Sequence, residues 1–275
     1  MSLTSGRGPF GADPAGRFNF TPEPPTGSVL FWDPVPYRLR AFLAGEPIFD
    51  TTAARLLHET GHLPVYYVPE EGLRHELLEP SEGTTHCPHK GVATYRSIRF
   101  GDRLAEAAVW AYREPLEPAR FLAGHAALYW NRVDEWWIED EQVFGHPRDP
   151  YSRIDIFETS RRVRVAVEGE EVADSGRAKV LYETGLPPRF YLPRDDVRLD
   201  LLVVSPTQTR CAYKGVASYW HVRAGGDLHE DLAWTYPEPE YDGRRVAGLV
   251  CFFNERVELE VDGEPQARPV TQWSR

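Results

Sequence analysis

No apolar run in this sequence approaches the roughly 20 residues needed to cross a bilayer. No N-terminal stretch joins a basic region to an apolar core, so neither a membrane anchor nor a leader is expected, and a cytoplasmic protein is. Cysteine is scarce. The three thiols, Cys87, Cys211 and Cys251, are too few and odd in number for a disulfide framework, and they form no C-x-x-C pair to grip zinc. There is no Gly-rich phosphate loop and no paired metal-binding Asp. Few of the basic residues are lysines, and the net charge of -11 is the wrong sign for a protein built to bind nucleic acid, whose recognition needs clustered cations.

What is abundant points to a globular β protein. Hydrophobic residues make up 41% and charged residues 27%, ordinary for a packed domain. The 24 prolines and 12% aromatics favour short strands joined by turns.

Self-comparison is the most informative reading. Gly45 matches Gly169, Glu59 matches Glu183, Cys87 matches Cys211, Trp110 matches Trp234 and Gly124 matches Gly248, always 124 positions apart (169 minus 45, 248 minus 124). The register runs without a gap from Gly45 to about Tyr129. Two repeats of domain size follow, with expected boundaries 1–27 for an extended or poorly ordered arm, 28–141 for the first repeat, 142–160 for a connector that also supplies a strand, 161–263 for the second repeat and 264–275 for a tail. Within a repeat the pattern has period two. RVRVAVEGEEVAD (Arg162 to Asp174) reads as a hairpin turning at Glu168-Gly169, and the first repeat follows the same plan at Ala44-Gly45. RDDVRLDLLVVS (Arg194 to Ser205) spaces Val197, Leu201 and Leu202 for a short helix.

Chemistry is concentrated in TTHCPHKGVATY (Thr84 to Tyr95) and its twin QTRCAYKGVASY (Gln208 to Tyr219). His86, Cys87 and His89 could form part of a metal site in the first repeat, but the second has Arg210, Cys211 and Tyr213 there, so no metal and no cofactor are assigned. Cys87 and Cys211 are candidate nucleophiles or simply buried small side chains. Lys90 and Lys214 are the stronger candidates. Each precedes a glycine, Gly91 or Gly215, that permits close approach by a backbone or ligand, and each is expected to pair with Glu59 or Glu183. The aromatic residues Tyr67, Tyr95, Trp110 and Tyr112, with Tyr191, Tyr219, Trp234 and Tyr236 in the second repeat, would line a pocket or fill a core. Trp136 and Trp137, in DEWWIEDE, should point to opposite faces of a strand.

The motifs CPHKGVATY and CAYKGVASY, VWAYREP and AWTYPEP, ETGHLPVYYVP and ETGLPPRFYLP resemble the domain of unknown function 427 family. The resemblance covers roughly 37–135 and 161–262, with Ala212 departing from the family's proline after the cysteine. It implies a mainly β chain of two tandem Mss4-like, or β-tent, domains, each of antiparallel sheets with one short helix. Relatives with that fold often pin their sheets with zinc through C-x-x-C pairs, and this chain has none.

The leading expectation is a small-molecule binding protein, with Lys90 and Lys214 meeting an anionic or carbonyl group beside the aromatic residues. The alternatives are an enzyme using either lysine as base or Schiff-base former, or Cys87 as nucleophile, and a structural or interaction module. Neither nucleic acid nor membrane is an expected partner. The duplication is expected to stand in for a homodimer, leaving the chain monomeric.

Overall fold

The computed structural model describes residues 3–271, 273 and 274. It forms two compact units, Met1–Tyr151 and Ser152–Arg275. The first contains β1 (Leu30–Pro34), β2 (Leu39–Leu43), β3 (Glu46–Thr51), β4 (Arg55–Glu59), β5 (Val65–Pro69), β6 (Leu78–Cys87), β7 (Gly91–Phe100), β8 (Arg103–Ala111), β9 (His125–Leu128), β10 (Glu135–Ile138) and β11 (Glu141–Val143). The second contains β12 (Ile154–Glu158), β13 (Val163–Val167), β14 (Glu170–Ser175), β15 (Lys179–Glu183), β16 (Arg189–Leu192), β17 (Leu202–Cys211), β18 (Gly215–Ala224), β19 (Asp227–Thr235), β20 (Val250–Phe252), β21 (Glu258–Val261) and β22 (Glu264–Pro265).

Each unit builds one seven-stranded and one four-stranded sheet. In the first unit the orders are β1-β4-β5-β9-β8-β7-β6 and β11-β10-β2-β3. In the second they are β12-β15-β16-β20-β19-β18-β17 and β14-β13-β21-β22. All pairings between these strands are antiparallel, so each unit is mainly β with two antiparallel sheets, as the resemblance implies. The hairpins turn where the sequence places them: Ala44-Gly45 and Glu168-Gly169 both have positive φ, the geometry of a two-residue turn that matches strand twist. The short helical segment expected after Pro193 is two 3-10 turns, Arg194–Asp196 and Leu199–Leu201. Its backbone is committed elsewhere. Arg198 N–H donates to the Val172 carbonyl at 2.9 Å and Val197 bridges Ala173, so the chain stays against β14 instead of winding into an α-helix.

Strand alternation sends side chains to two sides of each large sheet. In the first unit Leu56, Tyr66, Val68, Val109, Ala126 and Leu128 pack with Leu39, Leu43, Phe49 and Trp136 of the smaller sheet. Trp136 is buried and stacks on Trp130 at 4.6 Å, while Trp137 stays partly exposed near the Arg40 guanidinium. The alternate positions Leu57, Tyr67, Ala93 and Ala127 form a separate buried cluster with Tyr112, Ala119 and Leu122.

Within the segment expected to be an extended or poorly ordered arm, residues 3–10 are tied to Thr60 and Gly61 after β4, while residues 12–23 are exposed and contain no helix or strand. Phe10 N–H donates to the Leu3 carbonyl at 2.9 Å, Gly61 N–H to the Thr4 carbonyl at 2.7 Å, and Thr60 Oγ1 to the Phe10 carbonyl at 2.9 Å. Thr4 and Ser5 are buried, which the polar composition of the segment does not suggest. The stretch 142–160 supplies β12, the edge strand that pairs with β15.

Gly91 and Gly215 follow the two lysines with φ of 103° and 90°. The close approach expected there is made by backbone. A Cβ on Gly91 would lie 3.4 Å from the Glu114 carbonyl oxygen and the Leu116 nitrogen, and one on Gly215 would lie 3.1 Å from the Glu240 nitrogen. Leu116 and Glu240 N–H groups donate to the Lys90 and Lys214 carbonyls at 3.0 and 3.1 Å. Replacing either glycine with alanine should therefore lower unfolding free energy by about 1–3 kcal/mol, the cost of a side chain in this region of φ. Denaturant titration of Gly91→Ala and Gly215→Ala checks this, and unchanged midpoints would refute it.

Candidate functional site

Glu59 ends β4, and Lys90 lies in the turn between β6 and β7, where its N–H closes on the Cys87 carbonyl at 3.4 Å. Lys90 Nζ donates to Glu59 Oε2 in a short ion pair, and Lys214 Nζ does the same to Glu183 Oε2. Both lysines are only 8% exposed, so these are buried pairs. Their partners are far apart in strand order. From β4 through β5, β9 and β8 to β7 there are four interstrand steps, which in a flat sheet would span about 19 Å. Contact between Glu59 and Lys90 requires the large sheet to curl, with the pair bridging the curl. The second unit repeats the closure along β15-β16-β20-β19-β18.

All the aromatic candidates of the first repeat pack in or against the cluster enclosed by this curl. Register sets them in a row: Tyr95 lies opposite Trp110, Trp110 opposite Ala127, and Ala127 opposite Tyr67. In the second unit the row is Tyr219, Trp234, Cys251, Tyr191. Exposure divides them. Tyr67 and Tyr191 are fully buried, and Tyr112, Trp234 and Tyr236 nearly so, while Tyr95, Trp110 and Tyr219 remain partly exposed. Burial pushes the phenols of Tyr67, Tyr112, Tyr191 and Tyr236 up, so each is a neutral hydroxyl. Trp234 Nε1 donates to the Tyr191 hydroxyl at 3.2 Å, and the Lys90 ammonium lies 5.8 Å from the Tyr112 ring centre. The hydroxyls of Tyr95 and Tyr219 meet those of Thr85 and Thr209 at 2.7 and 2.8 Å.

Cys87 packs against the enclosed cluster of the first unit, half-buried, while the adjacent His86 is exposed. Neighbouring strand residues point to opposite faces, so this thiol and imidazole do not converge. Among the described residues no group of three or more His, Cys, Asp and Glu side chains comes together in the manner of a metal site. His58 is fully buried, with Asp33 at 3.8 Å and Asp149 at 3.7 Å on its two nitrogens. Burial pushes its pKa below the ordinary histidine value, against the pull of both carboxylates. An open concavity of about 600 Å³ is lined by N-terminal residues including Phe10, Phe18 and Phe20, together with Thr60, and by none of the candidate residues.

Several residues at the enclosed face were not singled out from sequence. In the first unit Tyr129 lies 4.4 Å from Trp110, and in the second Phe253 lies 4.4 Å from Trp234. The second unit adds Arg189, whose guanidinium makes a two-pronged ion pair with Glu255 at 2.6 and 2.7 Å, and Trp273 from the tail. The 124-residue register would have exposed the difference, since Arg189 aligns with Val65 and Glu255 with Asn131.

Removing one partner of a buried pair leaves an unpaired charge, whereas replacing both with apolar groups of similar volume costs far less. Glu59→Ala should thus lose about 3–5 kcal/mol of unfolding free energy and Glu59→Leu/Lys90→Met distinctly less, measured by denaturant titration. Equal losses would show that the charges do not interact. Burial also raises the Cys251 thiol to about 12. Limiting iodoacetamide should therefore modify Cys87 and Cys211 in the native chain and reach Cys251 only after unfolding, as read by peptide mass spectrometry; early labelling of Cys251 would contradict its burial.

No curated protein matches the chain. A family model described as a domain of unknown function (DUF427) matches twice, over residues 32–139 and 155–263. These two matches take in the strands that carry both lysine–glutamate closures and both aromatic rows, and the chain is a tandem duplication belonging to the DUF427 family.

Proposed function

We propose that this protein binds a small molecule at the enclosed face of the large sheet, with the first unit carrying the open site. The observation that carries this reading is the exposure of aromatic surface inside a curled sheet. Tyr129 is 40% exposed and its ring lies 4.4 Å from Trp110, and Trp110 and Tyr95 are partly exposed although both pack against the buried cluster of Tyr67, Tyr112 and Leu122. Curled sheets present small-molecule sites in such mouths, with aromatic walls and a few polar groups.

Lys90 supplies the polar group. An ammonium has three donors and Glu59 takes one, so an anionic or carbonyl group of the ligand would be drawn to Lys90, with Glu59 orienting the amine. The same roles fall to Lys214 and Glu183 in the second unit, whose face is more fully packed. Among the described residues no helix is long and apolar enough to cross a membrane. The three free thiols support a reducing, cytoplasmic setting, and the paired copies support a monomer that does the work of a homodimer.

Native mass spectrometry of gently purified protein should show a bound mass in excess of the polypeptide. Trp110→Ala and Tyr95→Ala should each lose it while remaining folded by circular dichroism. A chain without bound mass, whose thermal midpoint no member of a metabolite panel raises, would overturn the reading.

A further inference from the structure

The two copies carry the same aromatic pair, but only in the second does a guanidinium of the chain lie over it. In the second unit Trp234 and Phe253 have ring centres 4.4 Å apart at 44°, and in the first Trp110 and Tyr129 are 4.4 Å apart at 39°. Over the second cradle sits the Arg189 guanidinium, 5.6 Å from the Trp234 ring, 5.7 Å from Phe253 and 5.5 Å from Trp273. Glu255 accepts from both its terminal nitrogens and also from Thr271 Oγ1 at 2.6 Å, which ties the tail to the same spot. Phe253 is consequently only 9% exposed, against 40% for Tyr129.

Register shows what the first unit omits. Leu181 pairs with Arg189 as Leu57 pairs with Val65, so Val65 occupies the position of the guanidinium-bearing residue. Asn131 occupies that of Glu255. Arg132 keeps the place of Arg256, whose guanidinium lies 6.0 Å from Phe253, and both donate to a strand carbonyl, Glu106 and Glu230 respectively. The missing group is therefore the one cation at the position of Arg189.

We propose that the first unit's cradle takes a planar organic cation of guanidinium type, supplied by the ligand, where the second unit supplies its own arginine. The rings present the negative faces of their π-systems, which attract such a cation and are strongest for Trp. Arginine-like groups also stack flat on aromatic faces in a way that a compact ammonium does not. A neutral acceptor, Asn131, replaces Glu255, so ring faces rather than a salt bridge hold the cation, and the chain's net charge of -11 favours its approach. This inference rests on the binding role proposed above and adds the chemistry of one end of the ligand, at Trp110 and Tyr129, with Lys90 left for an anionic or carbonyl group.

Isothermal titration of the full chain with N-acetyl-arginine amide tests it, with N-acetyl-citrulline amide as the uncharged isostere. The expected result is one site per chain and binding about tenfold tighter for the arginine probe, the factor a partly desolvated cation–π contact supplies. Val65→Arg/Asn131→Glu, which transplants the second unit's pair, should abolish that binding, and so should Tyr129→Ala, a partly exposed position at which folding is retained. Equal binding of the two probes, or arginine binding that survives both variants, would overturn the inference. If purified protein carries a bound mass lost in Trp110→Ala while the arginine probe fails to bind, the ligand class is wrong and the binding role stands; if neither is seen, both fall.

Discussion

The buried lysine–glutamate pair is the constraint on which the rest of each unit depends. It joins a residue at the end of the second strand of the large sheet to one in the turn between the last two, which a flat sheet could not bring together. Curling gives the sheet a second enclosed face in addition to the one packed on the smaller sheet. A buried ion pair is poor at adding net stability, because desolvating both charges offsets most of their attraction. Its value here is geometric. Two buried charges that find their counter-charge in each other specify one curl over any looser alternative. The glycine after each lysine serves the same end, admitting the backbone of residues 114–116 or 238–240 against the turn.

Much of this was legible in the sequence because duplication acts as its own control. Residues kept at a 124-residue spacing include Glu59, Cys87, Lys90, Gly91 and Trp110, and the pairing of Lys with Glu could be anticipated from that retention. Period-two alternation and the Ala-Gly and Glu-Gly turns located hairpins well, because their backbone demands are local. The spacing of Val197, Leu201 and Leu202 marked a short helical segment but not its division into two 3-10 turns, since the hydrogen bond from Arg198 to Val172 is made over a distance in sequence that no local pattern encodes. The contacts of residues 3–10 were illegible for the same reason. They run to Thr60 and Gly61, and the segment's own composition is that of a linker.

The candidate site was half visible. Alternation placed Trp110 and Tyr112 on one side, and the structure gathers them with Tyr67 and Tyr95, but sequence could not say that Tyr67 is sealed in and Tyr95 is not. The positions the copies share do not reveal the ones that separate them. Arg189 and Glu255 have no counterparts of like chemistry at Val65 and Asn131, and Trp273 lies in the tail beyond the matched register; such differences look like ordinary drift until the fold puts all three second-unit residues around one aromatic cradle. Duplication thus kept the closure in both copies while the side chains around the aromatic pair diverged.

The central claim is that the two units share one curled, ion-paired frame but only the first leaves its aromatic cradle for a ligand. A crystal structure of the chain as purified, with no ligand added, tests it most directly. The account predicts Lys90 on Glu59 and Lys214 on Glu183, Arg189 seated over Trp234 and Phe253, and non-protein density over Trp110 and Tyr129 alone. A first-unit cradle packed by the chain's own side chains, or density of the same kind in both units, would contradict it.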